Sequence, residues 1–149
     1  MRFTTKTEYG LICLIRMAKA ENSRPLTVKE IVRDENFPVA YTEKILQKLR
    51  AANIVAAQHG NQGGYVLARP ASEIYLKEIV EALEGSTFDV YCKPRLRQDI
   101  VCTHFSLCGV KPIWLKTKEL LDNFYSTVTL KGLAEEDFPL DRDVTAQNA

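Results

Sequence analysis

The fold of this chain is decided by residues 38–52, PVAYTEKILQKLRAA, in which apolar and polar positions recur at helical spacing. One stripe of the predicted helix is apolar and holds Ile45, Leu46, Leu49 and Ala52. The opposite face holds Ala40, Glu43, Lys44 and Gln47, with Lys48 beside them. Pro38 suits the first position of a helix, because its missing N–H needs no partner there. The pattern predicts a helix that is buried on one side and polar on the other.

A short helix precedes this segment and two short strands follow it. Thr27-x-x-Glu30 is a capping box, which predicts a helix that ends near Arg33 before a turn at 34–36. Strands are predicted at 54–57 and 65–68, and the three glycines between them permit the positive φ values of a hairpin. Each piece alone fits an ordinary amphipathic helix or surface turn. Their order and spacing favour a helix-turn-helix with a wing.

Further helices are predicted around this unit. Thr5-x-x-Glu8 is another capping box, and the apolar residues among 9–18 cover nearly all sides of the helix that follows, as in a central core helix. A short helix over 75–84 is ended by Gly85. A long helix from about Pro112 has a wide apolar stripe with little chain left to cover it. This favours a partner helix from a second subunit over packing back onto the first domain.

The predicted fold class is therefore mainly α with a small β-hairpin wing. We expect a winged helix-turn-helix DNA-binding domain at 1–85, a cysteine-containing loop at 86–110, a dimerisation helix at 111–134 and a disordered tail at 135–149.

The net charge of +1 hides an uneven distribution. Residues 1–70 carry a net charge of +5 and residues 71–149 a net charge of −4. The excess of basic residues favours a nucleic-acid surface in the first half, although such an excess also fits a solvated face. Apolar residues make up 46% of the 149-residue chain, but no apolar run approaches the roughly 18 residues that span a membrane. Nor does the chain begin with a signal-peptide pattern, so we expect a cytoplasmic protein with no membrane contact.

Three of the four cysteines, Cys92, Cys102 and Cys108, lie in a segment with no clear period and several basic residues. The paired C-x2–4-C knuckles of zinc sites are missing from the sequence. Three thiolates on a loop can hold an iron–sulfur cluster when a fourth ligand comes from elsewhere, and nearby positive charge favours the thiolate form. We therefore expect the loop at 86–110 to be a cluster-binding loop. Cys13, on the apolar first helix, is predicted to be a packing residue. No P-loop or nucleophile-elbow motif occurs and there are only two histidines, so an enzyme is not expected.

Together these features resemble the winged-helix iron–sulfur transcriptional regulators that include IscR and NsrR. The resemblance covers roughly residues 1–134 and is carried by residues 1–10 (MRFTTKTEYG), 39–50, 60–67 (GNQGGYVL) and 73–85, by the three cysteines, and by Trp114 with the helix after it. It implies a homodimeric bacterial repressor or activator that responds to the state of an iron–sulfur cluster, with a two-iron cluster favoured over a four-iron one.

The resemblance also implies the ligands of the cluster, with some departures. Family members of the IscR type have a histidine ligand three residues after the last cysteine, where this chain has Lys111. The spacing between the first two cysteines is also longer here. In NsrR-like members an acidic residue near the start of the first helix, from the other subunit, completes the site, and Glu8 occupies that position. The alternative fourth ligand is His104, and the alternative role of Glu8 is the capping box.

Double-stranded DNA with a pseudo-palindromic operator is the implied partner. The residues expected to contact it are Lys6, Thr27, Ala40, Tyr41, Thr42, Glu43, Lys44, Gln47, Lys48, His59, Gly60 and Asn61. The lysines would bind phosphates. The other side chains on the polar face of the helix at 38–52, which we call the reading helix, would contact base edges. Many family members have Arg-Gly at the start of the wing where this chain has His59, a weaker probe of the minor groove.

Two other functions fit the sequence. A cluster-free regulator of the same fold could use its thiols as a disulfide sensor or dock a partner enzyme. A small electron-transfer protein explains the cysteines, but leaves the reading helix and the wing without a role.

Overall fold

The computed structural model describes residues 4–20, 24–61, 63–89 and 108–136. In chain order its elements are α1 (Thr5–Lys19), α2 (Val28–Glu35), α3 (Val39–Ala51), β1 (Val55–Gln58), β2 (Gly64–Leu67), a 3-10 turn (Ala71–Glu73), α4 (Leu76–Glu84), α5 (Val110–Tyr125) and α6 (Leu130–Glu135). The predicted class, mainly α with one β-hairpin, is confirmed. Cys92, Cys102, His104 and the tail from residue 137 lie outside the described residues. None of the described helices has the length and apolar character to cross a membrane.

One apolar core joins α1, α2, α3, α4 and α6. Its fully buried side chains are Leu14, Ile31, Ile45, Leu46, Leu49, Ile54, Ile74, Ile79, Leu83 and Leu130, together with Cys13. Burial raises the pKa of the Cys13 thiol to about 12, so this side chain packs as a small apolar group. The prediction that Cys13 is a packing residue is therefore confirmed.

Local capping fixes the start of α2, as predicted, and the turn that joins α2 to α3. The hydroxyl of Thr27 accepts a hydrogen bond from the backbone N–H of Glu30 at 3.1 Å, and the Glu30 carboxylate accepts one from the Thr27 N–H at 2.8 Å. That backbone bond and the Arg24 guanidinium lower the pKa of Glu30 to about 2. Asn36 ends α2 in the left-handed conformation, and Pro38 is the N-cap of α3, one residue before the first helical position expected for it.

The first turn of α1 differs from the predicted capping box. Thr4 is the N-cap residue, and neither Thr5 nor Glu8 makes a capping hydrogen bond. The hydroxyl groups of Thr4 and Thr7 instead donate to the carboxylate of Glu84 at the end of α4. A tertiary partner thus replaces the local cap, and Glu8 lies exposed on the first turns of α1.

The wing is an antiparallel pair in which Val55 is opposite Leu67 and Gln58 is opposite Gly64. Leu26 adds a single bridge to Tyr65 on the other side of β2. The positive φ predicted for the glycines of the hairpin is found at Gly60, where φ is 126°. Gly64 is required for a different reason, because a Cβ there would lie 2.6 Å from the carbonyl oxygen of Leu26. The close approach of the Leu26 backbone therefore requires glycine at the start of β2.

The sequence predicts one helix over 111–134, but the structure has two. The prediction is therefore wrong for the C-terminal part of that range. α5 ends at Tyr125, where the Ser126 hydroxyl donates to the Asp122 carbonyl oxygen at 2.7 Å. Thr129 then caps α6 by accepting from the Gly132 N–H at 3.0 Å. Leu130 is fully buried, and its N–H donates to the carbonyl oxygen of Ile74 at 2.8 Å. α6 therefore belongs to the core of the winged-helix unit, and α5 alone extends from it.

Candidate nucleic-acid interface

α3 is amphipathic as the sequence predicts, except that Ala52, expected on the apolar stripe, is exposed just after the helix ends at Ala51. Ile45, Leu46 and Leu49 are at most 1% exposed and fix the helix on the core. The opposite face is exposed and carries Ala40, Glu43, Lys44, Gln47 and Lys48. Among the described residues, Lys44 has neither a side-chain hydrogen bond nor an ion pair. This face can therefore enter the major groove, which admits a single helix.

The start of α3 is held by an aromatic cluster. The ring of Tyr9 stacks on Phe37 with their centroids 3.8 Å apart, and Tyr41 meets Tyr9 edge-on at 5.7 Å. Tyr41 is half-buried, and its hydroxyl lies 3.4 Å from the hydroxyl of Thr5. Tyr41 therefore orients α3 against α1.

Two threonines predicted to contact DNA have other roles. Thr42 is fully buried, and its hydroxyl donates to the carbonyl oxygen of Pro38 at 3.0 Å. It lies three residues before Ile45 and four before Leu46, so it shares their buried stripe, and this removes it from the interface. Thr27 is half-buried, and its hydroxyl is taken up by the α2 capping box. Thr27 therefore positions α2 and offers no free hydroxyl.

The tip of the wing is open to solvent. His59, Gly60 and Asn61 are all exposed at the turn that leaves β1. They extend the exposed surface beyond α3, as expected of a wing that reaches the neighbouring groove.

Lys6 and Lys48 have partners within the chain that sequence reasoning missed. Both Nζ atoms donate to the carbonyl oxygen of Leu83, at 3.1 and 3.2 Å. Lys6 also pairs with the Glu84 carboxylate at 3.0 Å. Partial burial opposes ionisation of Glu84, but hydrogen bonds from Thr4, Thr7 and Lys6 outweigh it and hold the pKa of Glu84 below its usual value. A local sequence pattern does not predict these contacts, because Lys6 and Lys48 are far from Leu83 and Glu84 in the chain.

Two of the candidate cluster ligands, Cys108 and Glu8, are among the residues that the structure describes. Cys108 is half-buried and lies two residues before α5 begins. Glu8 is exposed, and within the described ranges its carboxylate has no hydrogen bond or ion pair. The same ranges hold no group of three or more His, Cys, Asp or Glu side chains that could bind a metal ion.

One face of α5 is apolar and uncovered in the single chain. Ile113, Leu120 and Phe124 are 61%, 59% and 46% exposed, and they recur at intervals of seven and four residues. We call these three residues the α5 stripe. Tyr125 is the buried residue of this helix.

The other side of α5 is attached to the end of α4. The Asp122 carboxylate accepts hydrogen bonds from the Thr87 hydroxyl and from Lys118 Nζ, the latter at 2.8 Å. The ring of Phe88 lies 6.1 Å from that of Trp114. These contacts fix α5 and leave the α5 stripe facing solvent.

Both the sequence and the fold match known transcriptional regulators. The profile of a family named Rrf2, described as iron-dependent transcriptional regulators, matches residues 3–136. The chain is 29% identical over 136 residues to the Rrf2 protein of Nitratidesulfovibrio vulgaris, and the match covers 91% of this chain and 89% of that one. It is 26% identical over 141 residues to the transcriptional regulator IscR of Photorhabdus laumondii, with 95% and 84% of the two chains covered.

The fold is similar to that of CymR, described as the global cysteine regulator of B. subtilis. The TM-score is 0.74 at 27% sequence identity, and the match covers 91% of this chain and 98% of CymR. IscR and CymR are named as regulators, which agrees with the function that the sequence predicts. The polar face of α3, the wing and the match over residues 3–136 agree with one another. This chain belongs to the Rrf2 family of DNA-binding transcriptional regulators.

Proposed function

We propose that this protein is a homodimeric cytoplasmic regulator that binds a pseudo-palindromic operator and is switched by an iron–sulfur cluster. The observation that carries the DNA-binding part is the exposed polar face of α3, which stands on a fully buried apolar stripe. Such a helix can enter the major groove without disturbing the core. The tip of the wing then lies toward the flanking minor groove.

The exposed side chains of α3 divide into two groups by chemistry. Gln47 can pair with the edge of an adenine, Glu43 can accept from a cytosine amino group, and Ala40 can contact a thymine methyl. Lys44 is the cation of this face without a partner among the described residues, so it supplies salt-dependent affinity for phosphate. His59, Gly60 and Asn61 contact the minor groove or its phosphates.

Gln47→Ala is expected to lower affinity for the operator and to leave affinity for unrelated duplex DNA unchanged. A bidentate base contact is worth about 1–3 kcal/mol, which corresponds to a loss of about 5- to 150-fold. Lys44→Gln should weaken binding to both DNAs and reduce the slope of log affinity against log salt by about one. Fluorescence anisotropy with an operator obtained by in vitro selection measures both effects.

The matched control is Lys131→Gln, the same loss of charge at an exposed position on α6. It should bind both DNAs like the unmodified protein. An equal loss on both DNAs for Gln47→Ala would contradict base recognition by this side chain.

A second copy of the chain is the proposed occupant of the α5 stripe. Two reading helices must be held about one DNA turn apart to bind a pseudo-palindrome, and this requires a fixed dimer. The stripe supplies apolar residues at the spacing by which paired helices meet. Its position opposite the Thr87–Asp122 contact leaves it free to pair without loosening the winged-helix unit.

The proposed cluster is held by Cys92, Cys102 and Cys108, with either Glu8 of the partner subunit or His104 as the fourth ligand. Three thiolates with one oxygen or nitrogen donor suit an iron–sulfur cluster. In support, the Glu8 carboxylate is not used in the cap predicted for it, and IscR is among the relatives. We favour a two-iron over a four-iron cluster. When bound, the cluster would supply sensitivity to iron supply, redox state or nitric oxide.

The deciding experiment is the visible spectrum of protein purified without oxygen, together with its iron and sulfide content. We expect charge-transfer bands that are lost in Cys108→Ser and retained in Cys13→Ala, a control thiol in the core. Glu8→Ala and His104→Ala identify the fourth ligand by which of them alters the spectrum. Operator affinity should differ between the cluster-loaded and cluster-free forms. Equal affinity in the two forms would contradict the switch.

A cluster-free, thiol-based regulator is the second candidate, and the likeness to CymR favours it. A colourless, iron-free preparation would support this function in place of the first. Mass spectrometry of the oxidised protein would then show a disulfide within the set Cys92, Cys102 and Cys108.

A further inference from the structure

The end of α4 forms an anionic site within the chain. The last carbonyl groups of a helix lack partners in the helix itself and carry partial negative charge. Here the carbonyl oxygen of Leu83 accepts from Lys6 and from Lys48, at 3.1 and 3.2 Å. The carboxylate of Glu84 adds a full charge, 3.0 Å from the Nζ atom of Lys6. Two cations from different helices therefore share the Leu83 carbonyl oxygen, and one of them, Lys6, is also paired with the Glu84 carboxylate.

This site resembles the environment that a DNA phosphate offers to lysine, with oxygen atoms at hydrogen-bonding distance and a negative charge. Lys48 belongs to the exposed polar face of α3. Because Lys6 reaches the same carbonyl oxygen, its amino group lies at the edge of that face. A DNA phosphate at this edge would contact Lys6, whose charge is already paired with Glu84.

We propose that Glu84 is a positioning residue that acts through Lys6: it competes with the DNA backbone for this lysine and so limits the number of phosphates that the protein binds. The proposal rests on the proposed function, since it requires the polar face of α3 to meet DNA. Lys6 then contributes little to phosphate binding in the unmodified protein, although its residue type alone suggests a phosphate contact. Affinity depends correspondingly more on Lys44 and on the base contacts of α3.

Glu84→Gln tests the proposal in the full-length protein, with Glu81→Gln as its matched control. Both changes remove one negative charge from α4, but the partner of Glu81 is Lys77 and not Lys6. Affinity for a selected operator and for an unrelated duplex is measured by anisotropy at several salt concentrations. For Glu84→Gln we expect affinity for both DNAs to rise about five- to tenfold near 0.1 M salt, with a slope steeper by about one. Glu81→Gln should leave the slope unchanged.

The double variant Lys6→Met/Glu84→Gln supplies the second measurement. It replaces one neutral pair by another, so we expect the affinity and slope of the unmodified protein. A loss of about five- to tenfold in the double variant would show that Lys6 already binds a phosphate, and would overturn the proposal. So would equal effects of Glu84→Gln and Glu81→Gln, or a fall in affinity for Glu84→Gln.

Glu84 also accepts from Thr4 and Thr7, so the thermal midpoint of each variant is recorded. The glutamine carbonyl can still accept from one of these hydroxyls, and the double variant tests the role of Lys6 even if Glu84→Gln alone is unstable. Failure of the proposed function is seen separately, as equal affinity of the unmodified protein for operator and unrelated DNA.

Discussion

Leu120→Asp is expected to convert the proposed dimer to a monomer and to lower affinity for a pseudo-palindromic operator by about a hundredfold or more. Leu120 is at the middle of the α5 stripe and is 59% exposed in the single chain. A carboxylate placed there would be buried without a partner in the dimer, which is costly. Each monomer would then bind one half-site and lose the gain from the second. Light scattering measures the mass, and anisotropy measures the affinity.

Asn123→Asp is the matched control for this prediction. It introduces the same charge on the same helix at an exposed position outside the α5 stripe. We expect this variant to remain a dimer with unchanged operator affinity. A Leu120→Asp protein that stays dimeric and binds the operator normally would exclude the α5 stripe as the interface. The circular dichroism spectrum should be unchanged in both variants, since the core lies elsewhere.

Leu130→Ala is expected to lower the free energy of unfolding by about 2–5 kcal/mol, the usual cost of emptying a fully buried leucine site. Leu130 is 0% exposed in the core that joins α1, α2, α3, α4 and α6, although it follows α5 in sequence. Chemical denaturation at one fixed protein concentration measures the change.

Leu133→Ala, at a half-buried position on the same helix, is the control and should cost less. The folded Leu130→Ala protein should keep its dimer mass. Dissociation at unchanged stability would instead assign α6 to the subunit interface, against the packing of Leu130 into the core.

Local sequence patterns account for most of the helix-turn-helix and the wing. The capping box at Thr27, the polar and apolar stripes of α3 and the helix end at Gly85 all follow from residues within a few positions of one another. For the same reason the exposed residues of the candidate interface were predictable from helical spacing. Thr42 is one exception, because a polar side chain does not indicate a place on the buried stripe. Thr27 is another, because its hydroxyl is used in the α2 capping box.

The features that the sequence did not reveal depend on distant partners. The hydroxyl of Thr4 binds Glu84 and not a neighbouring N–H, and α6 turns back because Leu130 fits the core. The bridge from Leu26 to Tyr65 likewise sets the need for Gly64. Each of these depends on the packing of elements against each other, which no short window of sequence encodes. The partners of Lys6 and Lys48 were missed for this reason.

The contacts of Thr87 and Phe88 bring the chain on either side of residues 90–107 to the same helix. Thr87 and Phe88 bind α5 at Asp122 and Trp114, and Cys108 leads directly into the same helix. The described residues on both sides of 90–107 therefore meet the same helix. The entropy cost of bringing these two flanks together falls on folding. A force applied at Cys108 would therefore reach α5, which carries the α5 stripe, before any other described helix.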